Sequence, residues 1–247
     1  MCPWFMKVAE AVTPRVMGEL LSPTHVDKRS ELARLIDHTL LKPNATYADI
    51  DALCDEALRY EFWGVCVNPC HVKQAARRLA GSKTVVCSVI SFPFGSSTTE
   101  LKLLETRTAI ADGAREVDMV SNLGALRSGD TGTFFADINE VAAFCGRSNT
   151  LLKVILECCY LTDEEKVRGA RLAEQAGANY VKTSTGFGTG GATVADVALL
   201  RKAVTNRTGV KAAGGIGTLA KALEMVRAGA NRIGTSSGTK IVEELPA

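Results

Sequence analysis

One short device recurs in this chain and limits what it can fold into. A stretch with helical spacing stops at glycine, and alanine and a polar residue then lead into a run rich in β-branched residues. It occurs at Gly113-Ala114-Arg115, Gly177-Ala178-Asn179 and Gly229-Ala230-Asn231, the last two inside a shared Ala-Gly-Ala-Asn. Glycine suits the position just past a helix C-terminus because it takes positive φ without a Cβ clash. The chain is therefore written as helix, tight stop, strand, repeatedly, and the task is to count the repeats.

Counting starts at Leu35 to Leu40, which reads as a first strand carrying Asp37 and His38. Helical spacing over Asp49 to Tyr60 follows, then the strand-like FWGVCVNP, then a basic helical run from Val72 to Leu79. TVVCSVISFPFG predicts a third strand, Thr98 to Ala111 a helix, and REVDMVS a fourth strand. Phe134 to Cys145 is helical and LLKVILECC strand-like; Thr162 caps a helix reaching Glu174, with acids in its first turn. YVKTSTGF, VKAAGG and NRIGTSSG supply three more strands, separated by helical patterns at Thr193 to Val204 and Thr218 to Arg227. Strands alternating with helices run parallel, and eight such units in 247 residues predict a closed (β/α)8 TIM barrel of the α/β class. An open doubly wound sheet is the rival, but no GxGxxG-type loop follows the first strand. The spacing assigns residues 31–247 to a single barrel domain and residues 1–30 to an N-terminal extension of helical character, broken at Pro14.

Composition narrows the partners. A net charge of +2 gives no electrostatic reason to expect nucleic acid or a membrane surface as a partner. No apolar run approaches the roughly 20 residues of a membrane span, and Lys7 and Glu10 spoil the first segment as a signal peptide. Eight scattered cysteines, several inside apolar runs, suit a reduced, cytoplasmic chain. Cys66, Cys70 and His71 invite a zinc site, but no second cysteine pair stands at a metal-site spacing. The expectation is no metal and no cofactor.

Charged residues inside strands are the informative ones, because barrel strands carry active-site groups at the ends facing the βα loops. Asp118 in EVDMV, Lys153 in LLKVILE, Lys182 in YVKTS and Lys211 in GVKAAGG stand at intervals of 35, 29 and 29 residues. That is about one strand–helix unit each, so the four can converge on one mouth. A free lysine, with a pKa near 10.4, is almost wholly ammonium at pH 7 and has no lone pair to attack with. Neighbouring cations and partial burial favour the free amine, which adds to carbonyls and forms an imine that serves as an electron sink for carbon–carbon chemistry. The bland alternative is a Lys–Asp network that only fills the barrel mouth. Gly214-Gly215 follow the seventh strand and Ser236-Ser237-Gly238 the eighth, where barrels often hold phosphate; Gly186 adds a donor after the sixth. Ordinary loop punctuation is the alternative for either pair alone. His38 and His71 receive no role.

The stretches LIDHTLLKP, VCVNP, EVDMV, LLKVILE, YVKTSTGF, VKAAGGI and RIGTSSG, spread over residues 35–238, resemble those of the deoxyribose-phosphate aldolase family. The resemblance implies metal-independent, reversible cleavage of 2-deoxy-D-ribose 5-phosphate into D-glyceraldehyde 3-phosphate and acetaldehyde. It places Lys182 as the Schiff-base lysine, Lys211 as the second lysine that favours its neutral form, and Asp118 as the proton-relay carboxylate. Lys153 becomes a supporting polar residue beside them, and Gly214, Gly215, Ser236 and Ser237 fall where that family holds the phosphate; with Lys153 and the Gly186 donor after the sixth strand they make up the expected substrate-binding positions. The implied partners are the phosphorylated aldehyde and acetaldehyde, with assembly open between homodimer and homotetramer. Two departures stand out: the sequence ends VEELPA without the tail tyrosine of some relatives, and residues 1–30 extend beyond the family pattern. Another lysine aldolase of sugar phosphates, and a non-catalytic sugar-phosphate-binding barrel, are the competing functions.

Overall fold

A computed structural model describes residues 26–245. The extension expected over residues 1–30 lies outside the described residues up to residue 25; its last residues enter the first helix, α1 (Arg29–Ala33). The strands are β1 (Ile36–Leu40), β2 (Gly64–Val67), β3 (Val85–Ile90), β4 (Glu116–Val120), β5 (Leu151–Ile155), β6 (Tyr180–Lys182), β7 (Gly209–Ala213) and β8 (Arg232–Thr235). They pair in parallel in that order, and β8 closes on β1, so the sheet is an eight-stranded closed barrel. The predicted TIM barrel is the observed fold. Outside it pack α2 (Tyr47–Arg59), α3 (Val72–Arg78), α4 (Thr99–Ala111), α5 (Leu123–Arg127), α6 (Thr131–Arg147), α7 (Asp163–Gln175), α8 (Val194–Ala203), α9 (Leu219–Arg227) and α10 (Gly238–Glu243). None of the described helices is long and apolar enough to cross a membrane.

The recurring stop behaves as its chemistry requires. Gly113, Gly177 and Gly229 all take positive φ, at 112°, 98° and 109°, just past α4, α7 and α9. Side-chain caps set most helix starts. Thr46, Thr162, Thr193 and Thr218 each accept a backbone N–H from the first turn of their helix. The sequence pattern began α6 at Phe134, whereas the helix starts at Thr131, because Asp130 accepts the Thr133 N–H and pulls a Thr-Gly-Thr turn into the helix. The short α5 and α10 had no periodicity long enough to reveal them.

Alternation along each strand divides the sheet into two faces. Outward residues such as Val65, Val117, Leu152, Val154, Val181 and Ile233 are fully buried beneath the helices. Inward positions carry Asp37, Cys66, Cys87, Glu116, Asp118, Lys153, Lys182, Lys211 and Arg232, so the barrel is filled largely by polar and charged groups. Size matching makes room for them. Gly209 stands opposite Tyr180, and a β-carbon there would lie 2.2 Å from the ring. One on Gly234 would lie 3.0 Å from Cε of Lys211. Both glycines serve close packing inside the barrel.

Candidate active site

Asp118 is the hub of the interior. It lies fully buried on β4, its register partner across β5 is Lys153, and Lys182 and Lys211 are register partners on β6 and β7. Oδ2 of Asp118 accepts hydrogen bonds from Lys182 Nζ and Lys211 Nζ, each at 2.8 Å. Oδ1 accepts from Lys153 Nζ at 2.8 Å and from the Cys87 thiol at 3.1 Å. The four residues singled out in the sequence therefore meet at one carboxylate. Burial by itself would push the Asp118 carboxyl up, but the ammonium groups of Lys153, Lys182 and Lys211 outweigh it and hold the carboxyl well below the usual range.

Three further charges complete the cluster and were missed in the sequence. Lys211 also pairs with Asp37 on β1. Arg232 on β8 bonds Asp37 Oδ1 at 2.9 Å and Glu116 Oε2 at 3.1 Å, and its guanidinium lies over Trp63 at 4.2 Å. Glu116 also pairs with Lys153. The signal was present: Glu116 lies inside EVDMV and Arg232 inside RIGT, and the rule applied to Asp118 reaches both. Burial opposes the charge on Lys211, yet Asp118 and Asp37 raise its pKa above the ordinary lysine value, so it stands as a fixed cation beside Lys182. The cluster holds four basic side chains, Lys153, Lys182, Lys211 and Arg232, against three carboxylates, Asp37, Glu116 and Asp118. With every group charged it carries one positive charge too many, and one neutral amine brings it to parity.

Geometry singles out the amine that a ligand can reach. A cavity of about 440 Å³ opens at the C-terminal end of the barrel, and Lys182 is the member of the cluster that lines it. Asp118, Lys153 and Lys211 lie beneath its floor, fully buried. Among the described residues Lys182 has one carboxylate partner, Asp118, whereas Lys211 has two. Lys153, taken from the sequence as a supporting group near the substrate, does not line the cavity; it braces Asp118 and Glu116 from the far side.

The loop residues fall on the same cavity. Gly186, Gly214, Gly215, Ser236 and Ser237 all line it. Gly214 and Gly215 take φ of 90° and 71°, which turns the backbone away from the strand direction. The N–H groups of Gly215, Ile216 and Gly217 make no hydrogen bond to the described residues and remain as donors beside the serines. Glu157, a residue that no sequence signal marked, ties this wall to its neighbour. Buried and at φ 49°, it accepts the Thr185 N–H and hydroxyl, linking the loop after β5 to the loop after β6. Its left-handed backbone is visible only in three dimensions.

The cysteine and histidine expectations resolve differently. Cys66 points into the barrel, where its ligand atom and those of Cys87 and Asp118 lie within 4.8 Å of one another, while Cys70 is exposed. Three lysine ammonium groups around Asp118 oppose a divalent cation there. His38 faces outward from β1 and bonds Glu56 at 2.7 Å, away from the lysines.

Residues 25–244 match the family described as DeoC/LacD family aldolase. The chain belongs to this aldolase family. It is 56% identical over 215 residues to the deoxyribose-phosphate aldolase of Thermococcus gammatolerans, covering 86% of this chain and 96% of that one. It is 59% identical over 209 residues to the deoxyribose-phosphate aldolase of Brevibacillus brevis, covering 85% and 94%. Among solved structures it is similar to the tetrameric deoxyribose-phosphate aldolase of Aeropyrum pernix, with a TM-score of 0.83, 34% identity, and coverage of 88% and 92%.

Proposed function

We propose that this aldolase cleaves 2-deoxy-D-ribose 5-phosphate to D-glyceraldehyde 3-phosphate and acetaldehyde, with Lys182 as the Schiff-base nucleophile. The observation that carries the proposal is the placement of one lysine amine on the floor of a glycine- and serine-walled cavity, hydrogen-bonded to a carboxylate that it shares with a second, fixed lysine. The names of the relatives support the substrate.

The chemistry follows from the geometry. The spare positive charge of the cluster is relieved when Lys182 gives up a proton, which frees its lone pair to add to the C1 aldehyde of the open-chain sugar. Loss of water leaves an iminium. Removal of the C3 hydroxyl proton then lets the C2–C3 bond break, the electron pair passing into the iminium to form an enamine and releasing D-glyceraldehyde 3-phosphate. Protonation of the enamine at C2, followed by hydrolysis, returns acetaldehyde and the free amine. Asp118, which accepts a hydrogen bond from the Lys182 amine and another from Lys211, is the group through which these protons pass, with Lys211 beside it as the second lysine of the pair. The backbone donors at Gly186, Gly214 and Gly215 and the hydroxyls of Ser236 and Ser237 hold the phosphate at the end of the molecule away from the amine.

Borohydride reduction in the presence of acetaldehyde, followed by peptide mass mapping, tests this directly. A reduced two-carbon adduct on Lys182 is expected, and Lys182→Arg should be inactive because a guanidinium forms no such imine. An unmodified Lys182, or an active Lys182→Arg enzyme, removes the Schiff-base mechanism. Turnover of 2-deoxyribose 5-phosphate against other sugar phosphates decides the substrate. Assembly as a homodimer or homotetramer is proposed with it, supported by the exposed apolar side chains of Leu101 and Leu104 on α4; light scattering of the purified protein at a monomer mass rejects it.

A further inference from the structure

We infer that Lys221, a residue outside the catalytic cluster, is a specificity-determining cation for the phosphate group of the substrate. The inference rests on the aldolase reading and deepens it. A phosphate dianion in the cavity needs positive charge as well as backbone donors. The lysine on the floor, Lys182, is engaged with Asp118 and assigned to the carbonyl end of the substrate. The other lysine on the cavity wall, Lys42, is solvent-exposed and within electrostatic reach of Asp49. The N-terminus of α9, which leads away from Gly214-Gly215, is already capped: the Leu219 N–H donates to Glu244 at 2.8 Å and the Lys221 N–H to Thr218. Neither the helix end nor the floor lysine therefore supplies the charge.

Lys221 does not line the cavity itself but stands directly behind its Gly215 wall, within reach of an anion held there. From the first turn of α9 its side chain folds back over the β7–α9 loop, and its Nζ lies 3.6 Å from the point where a β-carbon on Gly215 would stand. Gly215 lines the cavity, and its N–H has no partner among the described residues. Next to it, Gly217 offers no side chain, and the nearest atom to its β-carbon position is Ser237 Oγ at 4.0 Å, so the space between the two phosphate loops stays open to an ammonium group. Among the described residues no carboxylate lies within ion-pair distance of Lys221, and the residue is half-buried. A half-buried ammonium without a carboxylate, held against a backbone-donor loop, is available to a ligand anion.

The test compares wild type, Lys221→Met and Lys221→Arg on 2-deoxyribose 5-phosphate and on unphosphorylated 2-deoxyribose. The methionine variant should raise KM for the phosphorylated sugar about tenfold, the scale of one lost charge-assisted hydrogen bond, with kcat within about twofold. Its KM for the unphosphorylated sugar should stay at the wild-type value, and the arginine variant should recover most of the loss. A methionine variant with the wild-type ratio between the two substrates, or with equal losses on both, overturns the assignment. Inorganic phosphate titrated into the same three proteins asks the question without turnover. Phosphate binding about tenfold weaker in Lys221→Met supports the inference, and equal binding overturns it. A wild-type protein that binds phosphate but does not cleave the phosphorylated sugar points instead to failure of the aldolase reading.

Discussion

Among the described residues, lysine–aspartate pairs with both partners buried stand in two places, and their difference shows what turns an ion pair into a candidate catalytic group. Between α4 and α6, outside the barrel, Lys102 Nζ bonds Asp137 at 2.6 Å and the Val120 carbonyl at 3.1 Å, and Thr99 donates to the same carboxylate. Both charges are buried, one cation faces one anion, and the lysine lines none of the cavities described above. Inside the barrel the basic groups outnumber the carboxylates by one, and one amine opens onto a cavity. The first site is balanced and closed, and its lysine has no substrate to meet. The second is unbalanced and open, and its excess charge is carried where an aldehyde can arrive.

Breaking each pair should separate the two kinds of burial. The largest effect is on activity: Lys182→Met should lower aldol cleavage by about 10⁴-fold or more, as removal of a nucleophile does. Because the substitution brings the cluster to charge parity and leaves Asp118 paired with Lys153 and Lys211, its unfolding free energy in urea should be unchanged or higher. Lower stability in that variant would mean that the cluster is not over-supplied with cations. Asp137→Asn should show the reverse pattern. It strands the Lys102 ammonium in the closed site and should cost about 3–5 kcal/mol in urea unfolding, while the folded fraction keeps its kcat within about twofold.

Acid sharpens the contrast more gently. Burial raises the carboxyls of Asp37, Glu116 and Asp118, but their cation partners win and hold all three below the ordinary carboxylate values. A carboxyl whose pKa is depressed on folding contributes stability that is complete above its unfolded value and is lost as pH falls toward its folded value. The urea midpoint should therefore hold steady from pH 7 to about pH 5 and decline progressively below about pH 4. In Lys182→Met the Asp118 carboxyl loses one of its three cations, so the decline should be shallower. A midpoint that starts to fall at pH 6 in the wild type would assign the acid sensitivity to other groups.

Much of this was legible in the sequence. The glycine stops and the strand–helix count led to the barrel, and the barrel's usual phosphate position led to Gly186, Gly214, Gly215, Ser236 and Ser237, which share one cavity wall. Asp118, Lys182 and Lys211 were legible for a different reason: a charge inside an apolar strand is costly to bury and so stands out. The same reasoning reaches Glu116 and Arg232, which sit at the other end of their strands, Glu116 pairing with Lys153 and Arg232 with Glu116 and Asp37. Lys221 and Glu157 were not legible, because a helix lysine and a loop glutamate look like solvated surface until the chain around them is placed.

The sequence by itself determined the order of elements, where each helix stops and which strands carry charge, because these depend on the φ preferences of glycine, local capping and hydrophobic period. Only the tertiary structure decided which charges touch and which of them is accessible. Asp37 and Lys211 are 174 positions apart and meet because β8 closes the sheet onto β1. Register and closure also decided that Lys153 lies beneath the floor while Lys182 lies on it. Depth along the barrel axis depends on the stagger of all eight strands together, and no single strand contains that information.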